Sequence, residues 1–220
     1  MDIHQIQANL QNPDFQYRLK AVKALKDYDS EVAVPLLTNL INDSEFLVRS
    51  FVAMGLGKQQ TPESFTALME IMKLDNTPNV RAEAANSLSL FGRVSVSHLV
   101  LAFYQDDHWL VRRSILGALV EMNCPEELFD VCMEGLKGED SGVAESAVGG
   151  LGTLANSTVQ ATALSQLLAL VNHESERIRL QLAYALKRFD QPEAKQALKQ
   201  LREDANHQVV GAALEDLLQS

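Results

Sequence analysis

The chain has 220 residues, 46% of them hydrophobic, and a formal net charge of −10. That is enough apolar material for a sizeable core, and too acidic for non-specific nucleic-acid binding, which needs a basic face. No stretch approaches the roughly 18 apolar residues of a membrane span. Residues 1–5 carry no basic region ahead of an apolar run, so no leader is expected. Cys124 and Cys132 would lie roughly 12 Å apart along one helix, too far for a disulfide, which suits a reducing, cytoplasmic setting.

An internal repeat dominates the chain. Its anchors, in chain order, are Tyr17-Arg18, Val48-Arg49, Val80-Arg81, Val111-Arg112, Val143-Ala144, Ile178-Arg179 and Val209-Val210. Counting from the second residue of each pair, position +7 is Leu25, Leu56, Leu88, Leu119, Leu151, Leu186 and Leu217. Position +3 is Ala21, Val52, Ala84, Ile115, Ala147, Leu182 and Ala213. Positions −1, +3 and +7 share one helical face, so each anchor lies on an amphipathic helix. Amphipathic stretches precede the second to seventh anchors at 34–41, 62–72, 96–104, 125–136, 159–171 and 192–201. Four of them have proline near the start (Pro35, Pro62, Pro125, Pro192), where a missing N–H costs nothing.

Position −6 reads Asn12, Asp43, Asp75, Asp106, Gly138, His173 and Asp204, and is expected to cap the anchor helices. The anchor arginines can tie one such turn to the next through their five donors. The expected ladder comprises Asp43, Arg49, Asp75, Arg81, Asp106, Arg112 and Arg179. Ala144 interrupts it, and the next interval is three residues longer, so a looser turn is expected at Asn156-Ser157-Thr158. Val210 suits a terminal repeat with nothing beyond it to tie. One hairpin cannot bury its apolar faces alone, so the units must stack. The expected fold is all-α, a right-handed solenoid of seven HEAT-like helical hairpins in a single domain over residues 1–220.

Asp43…Val48-Arg49…Val52…Leu56 and its copies resemble the short HEAT repeats of the cyanobacterial phycobilin lyase family. The resemblance covers the whole chain and is most specific at residues 43–57 and 106–119, DSEFLVRSFVAMGLG and DDHWLVRRSILGAL. It implies binding to phycobiliproteins, the phycocyanin and allophycocyanin type of bilin-carrying subunit, during antenna breakdown. It also implies transient contact with phycocyanobilin while the thioether-linked bilin is loosened or detached. The paired lyase subunits are two different chains, and seven repeats in one chain look closer to a stand-alone relative.

No catalytic constellation stands out in the residues. Gly55-Leu56-Gly57-Lys58 lacks the first glycine and the Ser/Thr of a phosphate loop and reads as a helix C-terminal turn. Asp106-Asp107-His108 places metal-ligand types side by side, but Asp106 belongs to the −6 column. The other histidines have no ligand spacing, so no metal site and no intrinsic cofactor are expected.

The outward columns of the anchor helices, −2, +2 and +5, line the concave side of such arrays. They hold Leu47, Phe51 and Met54 in the second repeat, and Leu110, Ser114 and Gly117 in the fourth. The fifth repeat has Gly142, Ser146 and Gly149 there, and the sixth has Arg177, Gln181 and Tyr184. Large exposed apolar side chains mark interaction sites, and bare small residues let a flat ligand or a second backbone approach. Packing between neighbouring repeats is the alternative for Phe51 and Met54. At position −3, Phe46 and Trp109 join the face. Trp109 with Arg113 forms a candidate pair for a π-system bearing carboxylates, at a helix N-terminus with orphan N–H groups, and His108 beside them is a further candidate binding residue; a tryptophan wedged between turns is the alternative. Three functions remain open: a phycobiliprotein-binding or lyase-like protein, a generic scaffold for another protein, and a free-standing enzyme. The residues favour the last least.

Overall fold

A computed structural model describes residues 1–214, and among them there is helix but no strand. Fourteen α-helices follow one another: α1 (Ile3–Leu10), α2 (Phe15–Ala24), α3 (Ser30–Thr38), α4 (Phe46–Gln59), α5 (Pro62–Leu74), α6 (Pro78–Ser89), α7 (Val96–Gln105), α8 (Trp109–Val120), α9 (Pro125–Lys137), α10 (Ser141–Thr153), α11 (Gln160–Ala169), α12 (Glu176–Leu186), α13 (Pro192–Leu201) and α14 (His207–Leu214). The anchors fall on the even-numbered helices, so the repeat is a solenoid-type array of hairpins. The residues form two compact units, 1–118 and 119 onward. In the first, α2, α4 and α6 pack in succession; in the second, α10, α12 and α14 do.

The repeat columns form the core. Leu25, Leu56, Leu88, Leu119, Leu151 and Leu186 are each fully buried, as are Val48, Val80 and Val111. Leu217 lies outside the described residues. Each such leucine contributes about 1.5–3 kcal/mol by leaving water, which no single hairpin could realise. Tyr17, the divergent −1 residue, is exposed. Successive even helices approach closely through small residues. A Cβ on Gly57 would stand 2.7 Å from Cβ of Ser87, and one on Gly152 would stand 2.9 Å from Cα of Ala185. Position +8 of one repeat therefore meets position +6 of the next in both units.

The ladder is present in four places. Arg18, Arg49, Arg81 and Arg179 donate through Nε to Asp43, Asp75, Asp106 and Asp204 of the following repeat at 2.6–2.7 Å. Nη2 completes each bidentate pair. Nη1 donates to the backbone carbonyl of Asn12, Asp43, Asp75 and His173 respectively, six residues back. Each arginine thus grips its own turn by main chain and the next turn by carboxylate.

Four expectations need correction. First, the −6 residues do not cap the helix. Asp43, Asp75, Asp106 and Asp204 accept from the N–H two residues on, that of Glu45, Thr77, His108 and Asn206, an Asx-type turn that leads into the helix. Nδ1 of His173 does the same for Ser175 N–H. In the fifth repeat Gly138 has no side chain to do so, and Asp140 caps α10 directly by accepting from Val143 N–H.

Second, Arg112 is not a rung. Its Nε is buried without a hydrogen-bond partner and its guanidinium lies 4.3 Å from the centre of the Phe103 ring, because position −6 of the next copy is Gly138 rather than a carboxylate. Third, Pro35 sits inside α3, which begins at Ser30; the prolines at first-turn positions are Pro62, Pro78, Pro125 and Pro192. Fourth, the 156–158 turn is tied: Ser157 Oγ donates to the Leu154 carbonyl, and Thr158 Oγ1 donates to Glu126. Gly55 and Gly57 lie within α4, and the left-handed residue that ends this helix is Gln60, with φ 49°.

The ladder makes stability depend on acid. Burial alone would raise the Asp43 carboxyl, but hydrogen bonds from Arg18 and from Glu45 N–H, with the charges of Arg18 and Arg49, hold it below its ordinary value of 3.8. The Arg179 hydrogen bond does the same for Asp204. A carboxyl lowered by folding stabilises the fold above its unfolded pKa, and that contribution is lost as pH falls through the folded value. Urea midpoints measured from pH 7 to 2 should therefore fall below about pH 4. Asp43→Asn and Asp204→Asn should each start lower and flatten the decline.

Candidate binding face

On the first unit α4 turns Leu47 and Met54 outward, with relative exposures of 39% and 41%, and Phe46 beside them at 41%. Phe51 is covered from one side: Nζ of Lys23 lies 4.2 Å from its ring centre. A cation over an aromatic face is attracted by the ring quadrupole. Phe51 thus belongs partly to packing, while Leu47 and Met54 are free apolar surface. At the start of α8, His108 stacks on Trp109 with ring centres 5.8 Å apart, and the Arg113 guanidinium lies 5.7 Å from the Trp109 ring. Trp109 is 43% exposed, so it is not wedged between turns. The helix N-terminus is less open to anions than expected, since His108 Nδ1 accepts from Leu110 N–H. Leu110 and Ser114 are partly buried and Gly117 is exposed.

In the second unit the small stripe is partly filled. Ser146 Oγ turns back to donate to the Gly142 carbonyl. A Cβ on Gly149 would meet the Gln181 side-chain amide at 2.9 Å, whereas one on Gly117 would meet nothing within 4 Å. Bare helix surface therefore exists at Gly117 and not at Gly149, because long Gln181 in the next repeat lies across the gap. Tyr184 is exposed, with Lys187 Nζ 5.4 Å from its ring centre. Gly117→Leu should raise the melting temperature, by less than about 1 kcal/mol of stability, because leucine forms helix better than glycine. Gly149→Leu should be tolerated by displacement of Gln181. A loss of stability in Gly117→Leu would show that this surface is covered.

Two features escaped the column analysis. Glu83 occupies position +2 of the third repeat, partly buried; burial pushes its carboxyl up from its ordinary value, with no charged neighbour acting on it. Between α5 and α7 there is also an open groove of about 370 Å³, whose lining includes Met69, Met72, Leu101, Arg81 and Asp106. Among the described residues, His, Cys, Asp and Glu nowhere form a group of three or more that could hold a metal ion. Cys124 and Cys132 are buried and not joined in a disulfide, and burial pushes the Cys132 thiol up to about 12, a poor nucleophile. No helix among the described residues is long and apolar enough to cross a membrane.

The family model for HEAT repeats matches residues 5–89 and 129–219, most of the chain. The chain belongs to the HEAT-repeat family. Among curated proteins, deoxyhypusine hydroxylase of Schizosaccharomyces pombe is 30% identical over 110 residues, which are 50% of this HEAT-repeat chain and 35% of that protein. The chain thus spans about a third of that relative. Among solved structures, YibA of E. coli has a TM-score of 0.64 at 15% identity, covering 100% of this chain and 93% of that one. The complex of CpcE and CpcF of phycocyanin lyase from Nostoc sp. PCC7120 has a TM-score of 0.55 at 18% identity, covering 99% and 95%. Mini spindles TOG3 of Drosophila melanogaster has 0.54 at 13%, covering 86% and 95%. At these identities the likeness is one of fold.

Proposed function

We propose that this HEAT-repeat chain docks phycobiliprotein subunits, of the phycocyanin or allophycocyanin type, on the outward face of its even helices, and acts in phycobilisome breakdown in the manner of NblB. The observation that carries the reading is the exposure of large apolar side chains on α4 (Phe46, Leu47, Met54) and at the start of α8 (Trp109), in a chain whose net charge is −10. Exposed aromatic and aliphatic side chains of this kind are enriched at interface centres. The sequence resemblance at 43–57 and 106–119 covers these same residues, and the fold likeness to CpcE and CpcF supports the reading. On this reading the chain would loosen the bilin by holding the subunit so that its thioether is strained or exposed. Phycocyanobilin would be a transient contact of the Trp109–Arg113 end.

The test is a titration of purified phycocyanin with the chain at micromolar concentrations, following complex formation and bilin absorbance. A complex with a shifted or reduced visible band is expected; no complex would overturn the reading. A second reading is a scaffold for some other protein, favoured by the fold likeness to YibA and to Mini spindles TOG3, which is as close as that to the lyase.

A further inference from the structure

Position +5 of one repeat lies against position +2 of the next. Lys23 covers Phe51 at 4.2 Å in the first unit, and a Cβ on Gly149 would touch Gln181 at 2.9 Å in the second. α4 and α6 pack directly, with Gly57 against Ser87 at the same offset as Gly152 against Ala185, and that offset pairs Met54 at +5 with Glu83 at +2 of the next repeat. In the three outward columns of the first unit, Glu83 is the single carboxylate. The residue best placed to neutralise it, at +5 of the preceding repeat, is a lysine in the first repeat (Lys23) but a methionine here. Burial raises the Glu83 carboxyl with no cation to offset it. A carboxylate drawn partly out of water with no opposite charge acting on it is costly, and an incoming cation would relieve that cost.

We propose that the Met54–Glu83 step is a slot for an arginine or lysine side chain of the bound protein, its aliphatic stem lying along Met54 and its charged head on Glu83. Long basic side chains combine these two halves, and a guanidinium can donate twice to one carboxylate. The inference rests on the even-helix face being the docking surface, and deepens that reading by naming the group recognised.

Two arms keep the inference and that reading separable. In the first, phycocyanin binding is measured for the wild-type chain, Glu83→Gln and Met54→Lys. Both variants are expected to weaken binding about tenfold or more, since a charge at an interface loses its partner. Met54→Lys places an internal cation in the slot at an exposed position, so its melting curve should match the wild type. If the wild type binds and both variants bind equally well, the slot is wrong and the docking face stands. In the second arm the Met54 methyl resonance is followed during titration with a hexapeptide carrying one arginine among leucines, its citrulline counterpart and its glutamate counterpart. A shift with arginine alone, lost in Glu83→Gln, supports the slot whether or not phycocyanin binds. Equal shifts with citrulline, a stronger response to glutamate, or no shift at all would overturn it.

Discussion

Arg49→Ala is expected to lower the stability of the fold by about 3–5 kcal/mol, the cost of breaking a buried ion pair from one side. Arg49 is 8% exposed, donates to both oxygens of Asp75, to Thr77 Oγ1 and to the Asp43 carbonyl, and its loss strands a carboxylate that is 5% exposed. Arg112→Ala provides the contrast. Arg112 holds an aromatic ring and no acid, so removing it should cost no more than about 1 kcal/mol. Chemical denaturation of the two variants checks both figures. Equal losses would mean that the ladder's carboxylates are not what distinguishes these arginines.

Gly152→Leu is expected to cost about 3 kcal/mol or more, beyond the ordinary range for overpacking. The atom its first carbon would meet at 2.9 Å is backbone, Cα of Ala185, so relief requires moving α10 away from α12. Gly152→Ala should cost about 1–3 kcal/mol by the same mechanism. The opposite sign at Gly117, open on all sides, makes the pair a test of which glycines serve packing. Thermal melts that rank the two substitutions the other way would show that the helix contact has been misassigned.

The core and the ladder were legible because both are periodic along the chain. Leucine at +7 recurs in every copy and aspartate at −6 in four of the seven, at nearly constant intervals, and a residue that recurs in this way meets the same surroundings each time. What the sequence did not reveal lies in the offset between neighbouring repeats. A column describes one position in all helices, whereas Gly57 meets Ser87, Lys23 meets Phe51 and Gln181 fills the space beside Gly149 across different columns. Reading +5 against the next +2 would have paired Lys23 with Phe51 and Gly149 with Gln181. Arg112 was within reach too: Gly138 in the following −6 position already removes its carboxylate. Trp109 was placed correctly at a helix start, but the Nδ1 of His108, which occupies an N–H there, is a matter of side-chain conformation that spacing does not carry.

The most direct measurement is the affinity for phycocyanin of a chain carrying Leu47→Glu and Trp109→Glu together. Both residues are exposed, so helix content and melting temperature should stay at wild-type values. If the even-helix face of the first unit is the docking surface, two charges at its apolar centre should weaken binding by about a hundredfold or more, the equivalent of removing interface anchors. Wild-type affinity in the doubly substituted chain would contradict the account, because a surface that tolerates two buried carboxylates is not the one in contact.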